Sequence, residues 1–354
     1  MAEVQCLDVL EDAPPWFRWG YGWTYLLLVR RMPWIWKWSY RILDGRRAYD
    51  GIQPLRRWWN LVIVGRFVRR LKSLQPDAVI ATHFLPADVC SAGKRAGWLR
   101  GALVVVVTDF HPHRFWISRE PEALVVGVPE SAETLARCGV ERSRVHVLGI
   151  PVGRAFGAPV DGTALRQRLR LSESRQTVLV TSGGTTVGQF ERVVDSLLTL
   201  EALLPGRLQL LVVCGEDAGA RRRLTTRATA SPMPMRVFGF VDNMADLMAV
   251  SELVVAKAGG LTLSESLASG VPLILYHIIP GQERMNAQYA VRHGAAIIAH
   301  RPQEAAQAVR GFFEDASRAA AMRQAARALA RPDAAEAIVS QVVQPLLQSV
   351  VRHG

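Results

Sequence analysis

The stretch VVAKAGGLTLSESLASGVPLILYHIIPGQERMN, residues 254–286, joins two apolar runs through a helix-length segment. A glycine turn follows the first run and a Pro-Gly turn follows the second. Leu263 and Leu267 recur at helical spacing between them, so the stretch reads as strand, turn, helix, strand. That is a βαβ unit, in which the two strands lie parallel and both sheet faces must be covered. The same rhythm runs outward in both directions. Strands are expected at Val4–Leu10, Ala78–Thr82, Leu103–Thr108, Leu124–Val128 and Val145–Ile150. After the Gly/Pro-rich passage GIPVGRAFGAPVDG, residues 149–162, a second series falls at Val178–Thr181, Leu208–Val213, Arg236–Phe240, Leu253–Ala256, Pro272–Tyr276 and Ala295–Ala299. Alternating strands and helices predict an α/β fold of two doubly wound domains, residues 1–155 and 156–354. Ligands of such sheets sit at the carboxyl ends of the strands, so the expected site is a cleft between the domains. The Ala-rich tail from Gln303 to Val351 reads as packed helices with a solvated face.

Composition supports a folded chain and limits its partners. A length of 354 residues exceeds what one core usually fills, and 49% hydrophobic with 21% charged residues excludes global disorder. The net charge of +12 suits an anionic partner, whether nucleic acid, an acidic membrane face or a phosphorylated substrate. Cys6, Cys90, Cys138 and Cys214 stand far apart with no C-x-x-C pair, which argues against zinc and disulfides and for a reducing cytoplasm. No leader pattern opens the sequence, and the apolar run from Tyr25 to Val29 is far shorter than a membrane span.

Eight of the ten Trp fall before residue 60, most of them within PPWFRWGYGWTYLLLVRRMPWIWKWSYRILDGRR, residues 14–47. Tryptophan prefers the headgroup level of a bilayer, and Arg18, Arg30, Arg31, Lys37, Arg41, Arg46 and Arg47 suit anionic lipid. The segment reads as an interfacial anchor. Its alternative is a long helical insertion with Trp16, Trp34 and Trp38 in a core. No nucleic-acid motif accompanies the aromatics, so nucleic acid is not an expected partner.

VLVTSGGTTVGQF, residues 178–190, runs from a buried strand through Gly183 and Gly184 towards a helix expected near Val187. Glycine permits close backbone approach, and amides at a helix start accept phosphate; alone, such a Gly-Gly is equally an ordinary tight turn. Lys257, Gly259 and Gly260 repeat the device, with Thr262 and Ser264 in the next helical turn suited to face a diphosphate. Glu265 suits two ribose hydroxyls, or serves as a helix-start carboxylate favoured by the dipole. Gln282, Glu283 and Asn286 carry hydroxyl-binding groups fit for a sugar. Phe240 and Met244, the two ends of FVDNM, can clamp a flat base or equally belong to a core.

In this order and spacing, Gly183-Gly184, GFVDNM, KAGGLTLSESLASGVPLILY and PGQERMNA resemble the nucleotide-sugar domain of family 28 glycosyltransferases, which have the two-Rossmann GT-B architecture. TDFHPHRFW (residues 108–116), VPESAETLARCGVERSRVHVLGIPV and the Trp-rich segment are similar to the branch that glycosylates diacylglycerol: monogalactosyldiacylglycerol synthases and processive diacylglycerol glucosyltransferases. The resemblance implies inverting transfer of galactose or glucose from a UDP-sugar to diacylglycerol by a peripheral protein on the cytoplasmic face of a membrane. It places uracil at Phe240, Val241 and Met244, ribose at Glu265, and the diphosphate at Gly183, Gly184, Gly259, Gly260 and Thr262. The sugar falls at Gln282, Glu283 and Asn286. Helix starts and Lys257 take the leaving charge, so no metal or cofactor is expected and the UDP-hexose is a substrate. Asp109 is expected as catalytic base or as the partner that orients His113, with Trp116 lining the lipid path.

The family opens with a first strand and a glycine-rich loop bearing a His. This sequence starts on what reads as the second strand, VQCLDVL, so the amino-terminal sheet is expected to lack its first strand. Three other readings share the architecture: an N-acetylglucosaminyltransferase acting on a polyprenyl-linked peptidoglycan intermediate, a UDP-sugar epimerase, and a catalytically silent membrane-associated nucleotide-sugar binder.

Overall fold

The computed structural model describes residues 3–18, 20, 51, 63–184, 189–279 and 281–353. It divides into two compact units, Met1–Ile150 with Glu336–Gly354, and Pro151–Ala335.

In the first unit the chain runs through α1 (Gly65–Leu74), β1 (Ala78–Ala81), α2 (Phe84–Arg95), β2 (Ala102–Val106), β3 (Ala123–Val126), α3 (Pro129–Arg137) and β4 (Val145–Val147). The strands form a parallel sheet in the order β1-β2-β3-β4, with Ala81 opposite Val105 and Val105 opposite Leu124. β2 reads ALVVV and is buried throughout, as a parallel strand covered on both faces requires. Alternate residues divide between two cores. Leu103, Val105 and Val107 pack with Leu124, Val126, Phe67, Leu71 and Trp116 on one side.

Val4–Leu10 is not a strand, contrary to the sequence reading. The Leu10 amide donates to the Asp8 carboxylate at 2.8 Å and the Glu11 amide donates to the Asp8 carbonyl at 3.1 Å. This side-chain turn at Asp8 replaces ladder bonds, while Val9 still enters the core.

The second unit contains α4 (Gly162–Arg168), β5 (Gln176–Thr181), α5 (Phe190–Leu198), β6 (Leu208–Val213), α6 (Ala218–Ala230), β7 (Met235–Phe238), α7 (Met244–Ala249), β8 (Leu253–Ala256), α8 (Gly260–Ala268), β9 (Leu273–Tyr276), α9 (Gln282–Arg292), β10 (Ala296–Ala299), α10 (Pro302–Glu314) and α11 (Ala316–Leu329). Its six parallel strands lie in the order β10-β9-β8-β5-β6-β7. The chain therefore starts mid-sheet at β5, winds out to β7, and returns across β5 to lay down β8 to β10. Phe190, Val193, Val194 and Leu197 form the inward stripe of α5 and pack with Val178, Val180, Leu210 and Val212.

α12 (Ala334–Ile338) continues through a π turn, Val339–Val343, into α13 (Gln344–His353). The sequence reading put this tail in the second domain, yet residues 336–354 belong to the first unit. The cause is the second face of β2 and β3: Val104, Val106, Ala123 and Val125 are covered by Ile338, Val342 and Val343. Each such aliphatic side chain contributes about 1.5–3 kcal/mol on burial.

Candidate functional site

The winding of the second unit reverses between β5 and β8, where adjacent strands send their loops apart and open a crevice at their carboxyl ends. Leaving β5, Gly183 takes φ +75°, a left-handed conformation disfavoured for any residue with a Cβ. Its amide donates to Thr181 Oγ1 at 3.3 Å. The turn rests on Gly215 at the end of β6. A Cβ there would lie 2.5 Å from the Gly184 carbonyl oxygen and 2.7 Å from that of Gly183. The Glu216 amide donates to the same Gly184 oxygen at 3.1 Å. Gly215 is thus a support that the sequence reading missed. α5 starts at Phe190, later than the expected Val187, and residues 185–188 lie outside the described set.

Across the crevice Lys257 leaves β8 half-buried, with its Cε 4.0 Å from where a Gly183 Cβ would stand. Gly259 is the N-cap of α8 and carries no side-chain acceptor, so the amides of Gly260, Leu261 and Thr262 are directed to an acceptor from outside the helix. Leu263 and Leu267 anchor the helix in the core. Ser264 does not face a ligand, because it is buried and its hydroxyl donates to the Gly260 carbonyl at 2.8 Å. Asn286 is buried behind the same turn. It is 1% exposed and its amide donates to the Ala258 carbonyl at 3.1 Å, so it also ties α9 to the Lys257–Gly259 turn.

Glu265 stands one turn into α8, where burial pushes its carboxyl from 4.5 up to about 7. A carboxylate at this place is costly until a ligand donates hydrogen bonds to it.

β9 supplies the far wall. Tyr276 is sunk in the core and its hydroxyl donates to the Thr181 carbonyl at 3.3 Å, tying the ends of β9 and β5 together past β8. Gly281 takes φ 115° and ψ −128°, which only glycine adopts readily. Glu283 accepts the Ile279 amide at 3.0 Å, fixing the loop that leads into α9, and Gln282 opens that helix half-buried. Beyond β7, Phe240 is 74% exposed and is therefore no core residue, while Val241 and Met244 beside it are half-buried.

In the first unit Asp109 follows β2 and is half-buried. Its loop is held by Ser131, whose hydroxyl donates to the Phe110 carbonyl at 2.8 Å. His113 is 4% exposed and its Nδ1 accepts the Phe115 amide at 3.2 Å, so it caps the turn Arg114–Trp116. Trp116 is 2% exposed and meets Phe84 edge-on at 6.0 Å. It is a core residue and does not line an open path.

Trp16 is exposed at the surface, but Trp34, Trp36, Trp38 and the basic residues from Arg30 to Arg47 lie outside the described residues. Among the described residues no helix is long and apolar enough to cross a membrane.

The comparisons agree with this geometry. The family model for monogalactosyldiacylglycerol synthase matches residues 1–152, and that for the glycosyltransferase family 28 C-terminal domain matches residues 177–338. The processive diacylglycerol beta-glucosyltransferase of Bacillus cereus (strain AH187) is 29% identical over 298 residues, covering 84% of this chain and 74% of that protein. The enzyme of the same name from Bacillus thuringiensis (strain Al Hakam) is 29% identical over 299 residues, covering 84% and 75%. Among solved structures, S. aureus MnaA with UDP superposes with a TM-score of 0.62 at 13% identity over 83% of this chain and 82% of that one. Acinetobacter baumannii MurG gives 0.60 at 17% over 81% and 79%. At these identities the structures establish the GT-B fold alone. The two sequence models match in order along one chain: its first 152 residues are similar to the monogalactosyldiacylglycerol synthases, residues 177–338 to the family 28 glycosyltransferase C-terminal domain, and 84% of the chain to processive diacylglycerol glucosyltransferases.

Proposed function

We propose that this chain is an inverting hexosyltransferase that moves galactose or glucose from a UDP-sugar to the free hydroxyl of diacylglycerol. The observation that carries this reading is the crevice between β5 and β8, where the Gly183-Gly184 turn, Lys257 and the start of α8 converge. Backbone amides, a helix dipole and one ammonium group suit a diphosphate, and they stabilise the charge that gathers on UDP as the bond to the sugar breaks. These groups are proposed to serve where other transferases use a metal ion. Phe240, Val241 and Met244 receive the uracil, Glu265 the ribose hydroxyls, and Gln282 with Glu283 the hexose.

Asp109 is the proposed base. It takes the proton of the acceptor hydroxyl as that oxygen bonds to the anomeric carbon from the side opposite UDP, whose oxygen leaves with the bonding pair. His113 shapes the Asp109 loop by capping the turn that follows. Attachment to one membrane leaflet is supported by Trp16, 61% exposed, and by α1, which buries Phe67 and Leu71 and exposes Arg66, Arg69, Arg70 and Lys72. With its apolar face packed in the core, α1 offers only its basic face outward, and that face together with an exposed Trp fits an anionic surface.

The test supplies radiolabelled UDP-galactose or UDP-glucose with diacylglycerol vesicles and separates the lipid products. Label in a monoglycosyl lipid supports the reading and the preferred donor names the sugar. Donor binding without lipid product from either sugar overturns it in favour of a silent nucleotide-sugar binder.

A further inference from the structure

Three non-glycine residues among those described have positive φ: Gln75, Arg170 and His277. Gln75 is the C-cap of α1, and Arg170 follows Leu169, the C-cap of α4. Both conformations end a helix, where left-handed residues are ordinary. His277, with φ 46°, directly follows strand β9 and has no such explanation. A left-handed backbone outside a helix end is held there by its surroundings, and such strain gathers at working sites.

The surroundings of His277 are those of the crevice. It is half-buried, and burial first, then the charge of Lys257 on the neighbouring strand, hold its imidazole below the ordinary range. Lys257 in turn borders the Gly183 turn. From α9, Glu283 uses an oxygen on the Ile279 amide, two residues along the same loop. From β9 itself, Tyr276 points into the core with its hydroxyl on Thr181. The neutral imidazole is thus kept beside a cation at the place where an anionic diphosphate would sit.

We propose that His277 is a positioning residue for the donor: its left-handed backbone sets the imidazole beside Lys257, and it takes up a proton as the diphosphate binds. This rests on the donor site assigned above. Arrival of the diphosphate offsets the Lys257 charge and favours the imidazolium form, which then donates a hydrogen bond to a phosphate oxygen. That bond strengthens as charge builds on the leaving UDP. The charges of UDP-glucose itself do not change near neutrality, because its diphosphate is a diester, so any linked proton belongs to the protein.

The experiment is calorimetry of UDP-glucose binding to the full chain, in two buffers of different ionisation enthalpy, for the wild type, His277→Asn and His277→Gly. Asn tolerates the left-handed region and Gly adopts it freely, so both variants preserve the turn. Proton release from Glu265 is common to all three proteins and cancels in the differences. The wild type is expected to take up as much as about one proton more per donor than either variant, so that from pH 6 to pH 8 its affinity falls relative to theirs by up to on the order of tenfold. Equal uptake in wild type and variants overturns the role of His277 while leaving the donor site standing. Absence of binding to the wild type overturns the donor reading and this proposal together.

Discussion

Replacing Glu265 by Gln is expected to stabilise the second unit while weakening its hold on the donor, with the gain set by pH. Burial lifts the Glu265 carboxyl from 4.5 to about 7. At about 1.4 kcal/mol per pH unit this amounts to about 3 kcal/mol against the carboxylate. Partial access of water lowers the figure to about 2 kcal/mol. In the unfolded chain the group loses its proton near the ordinary carboxylate value, whereas the native group keeps it until about pH 7. Between those values the native state binds more protons than the unfolded state, so stability falls as pH rises and then levels off. Gln has no proton to lose. Glu265→Gln should therefore match the wild type in this respect at acid pH and exceed it by about 2 kcal/mol at pH 8, a rise in midpoint of about 4–8 °C for a unit of this size. Urea unfolding at pH 5 and pH 8 measures the difference. UDP-glucose added at pH 8 should stabilise the wild type more than the variant, because only the carboxylate accepts two ribose hydroxyls without a repulsive N–H. An equal stability difference at both pH values would refute the reasoning.

The support beneath the glycine turn makes a paired prediction. Gly215→Ala sets a methyl group 2.5 Å from the Gly184 carbonyl and should weaken UDP-glucose binding by on the order of tenfold or more, measured by calorimetry. Gly206→Ala, with φ +72° and open space around it, should cost about 1 kcal/mol of stability and leave that affinity unchanged. Asp109→Asn should lower lipid glycosylation by on the order of a hundredfold or more while UDP-glucose affinity stays the same. Val342→Asp places a charge against Val104, Val106 and Val125, and should destabilise the first unit by about 3 kcal/mol, seen as lost hydrogen-exchange protection in β2 and β3.

The parallel strands were legible because each is a short β-branched run buried on both faces, and strands such as Leu208–Val213 fall where the pattern puts them. The glycine turn at Gly259-Gly260 was legible for the same reason: a strand, two glycines and two leucines at helical spacing leave few alternatives. Val4–Leu10 misled because its apolar residues suit a core, while the decisive feature is one Asp8 side chain closing a turn. Ser264 and Asn286 are polar residues beside the Lys257–Gly259 turn, and each donates a hydrogen bond to a backbone carbonyl of its own unit, a choice that spacing does not reveal. Gly215 repeated the strand-to-glycine pattern in VVCGED and was overlooked because only one glycine follows the strand. The left-handed backbone of His277 has no signature in the sequence at all. The tail was misplaced because an amphipathic helix declares that it covers a sheet but not which one.

The path of that tail has a consequence for synthesis. Half the lining of the first sheet, the side of β2 and β3 that carries Val104, Val106, Ala123 and Val125, is completed by residues made more than 200 positions later, Ile338, Val342 and Val343. While the ribosome translates the intervening unit, this valine-rich surface waits uncovered, and a nascent chain stalled before residue 338 displays it to chaperones and to other chains. Quality control of the earlier sheet is therefore deferred until residues 338–343 are made: a stop codon just before Ile338 spares the strands of the second unit and leaves this face of β2 and β3 unfinished.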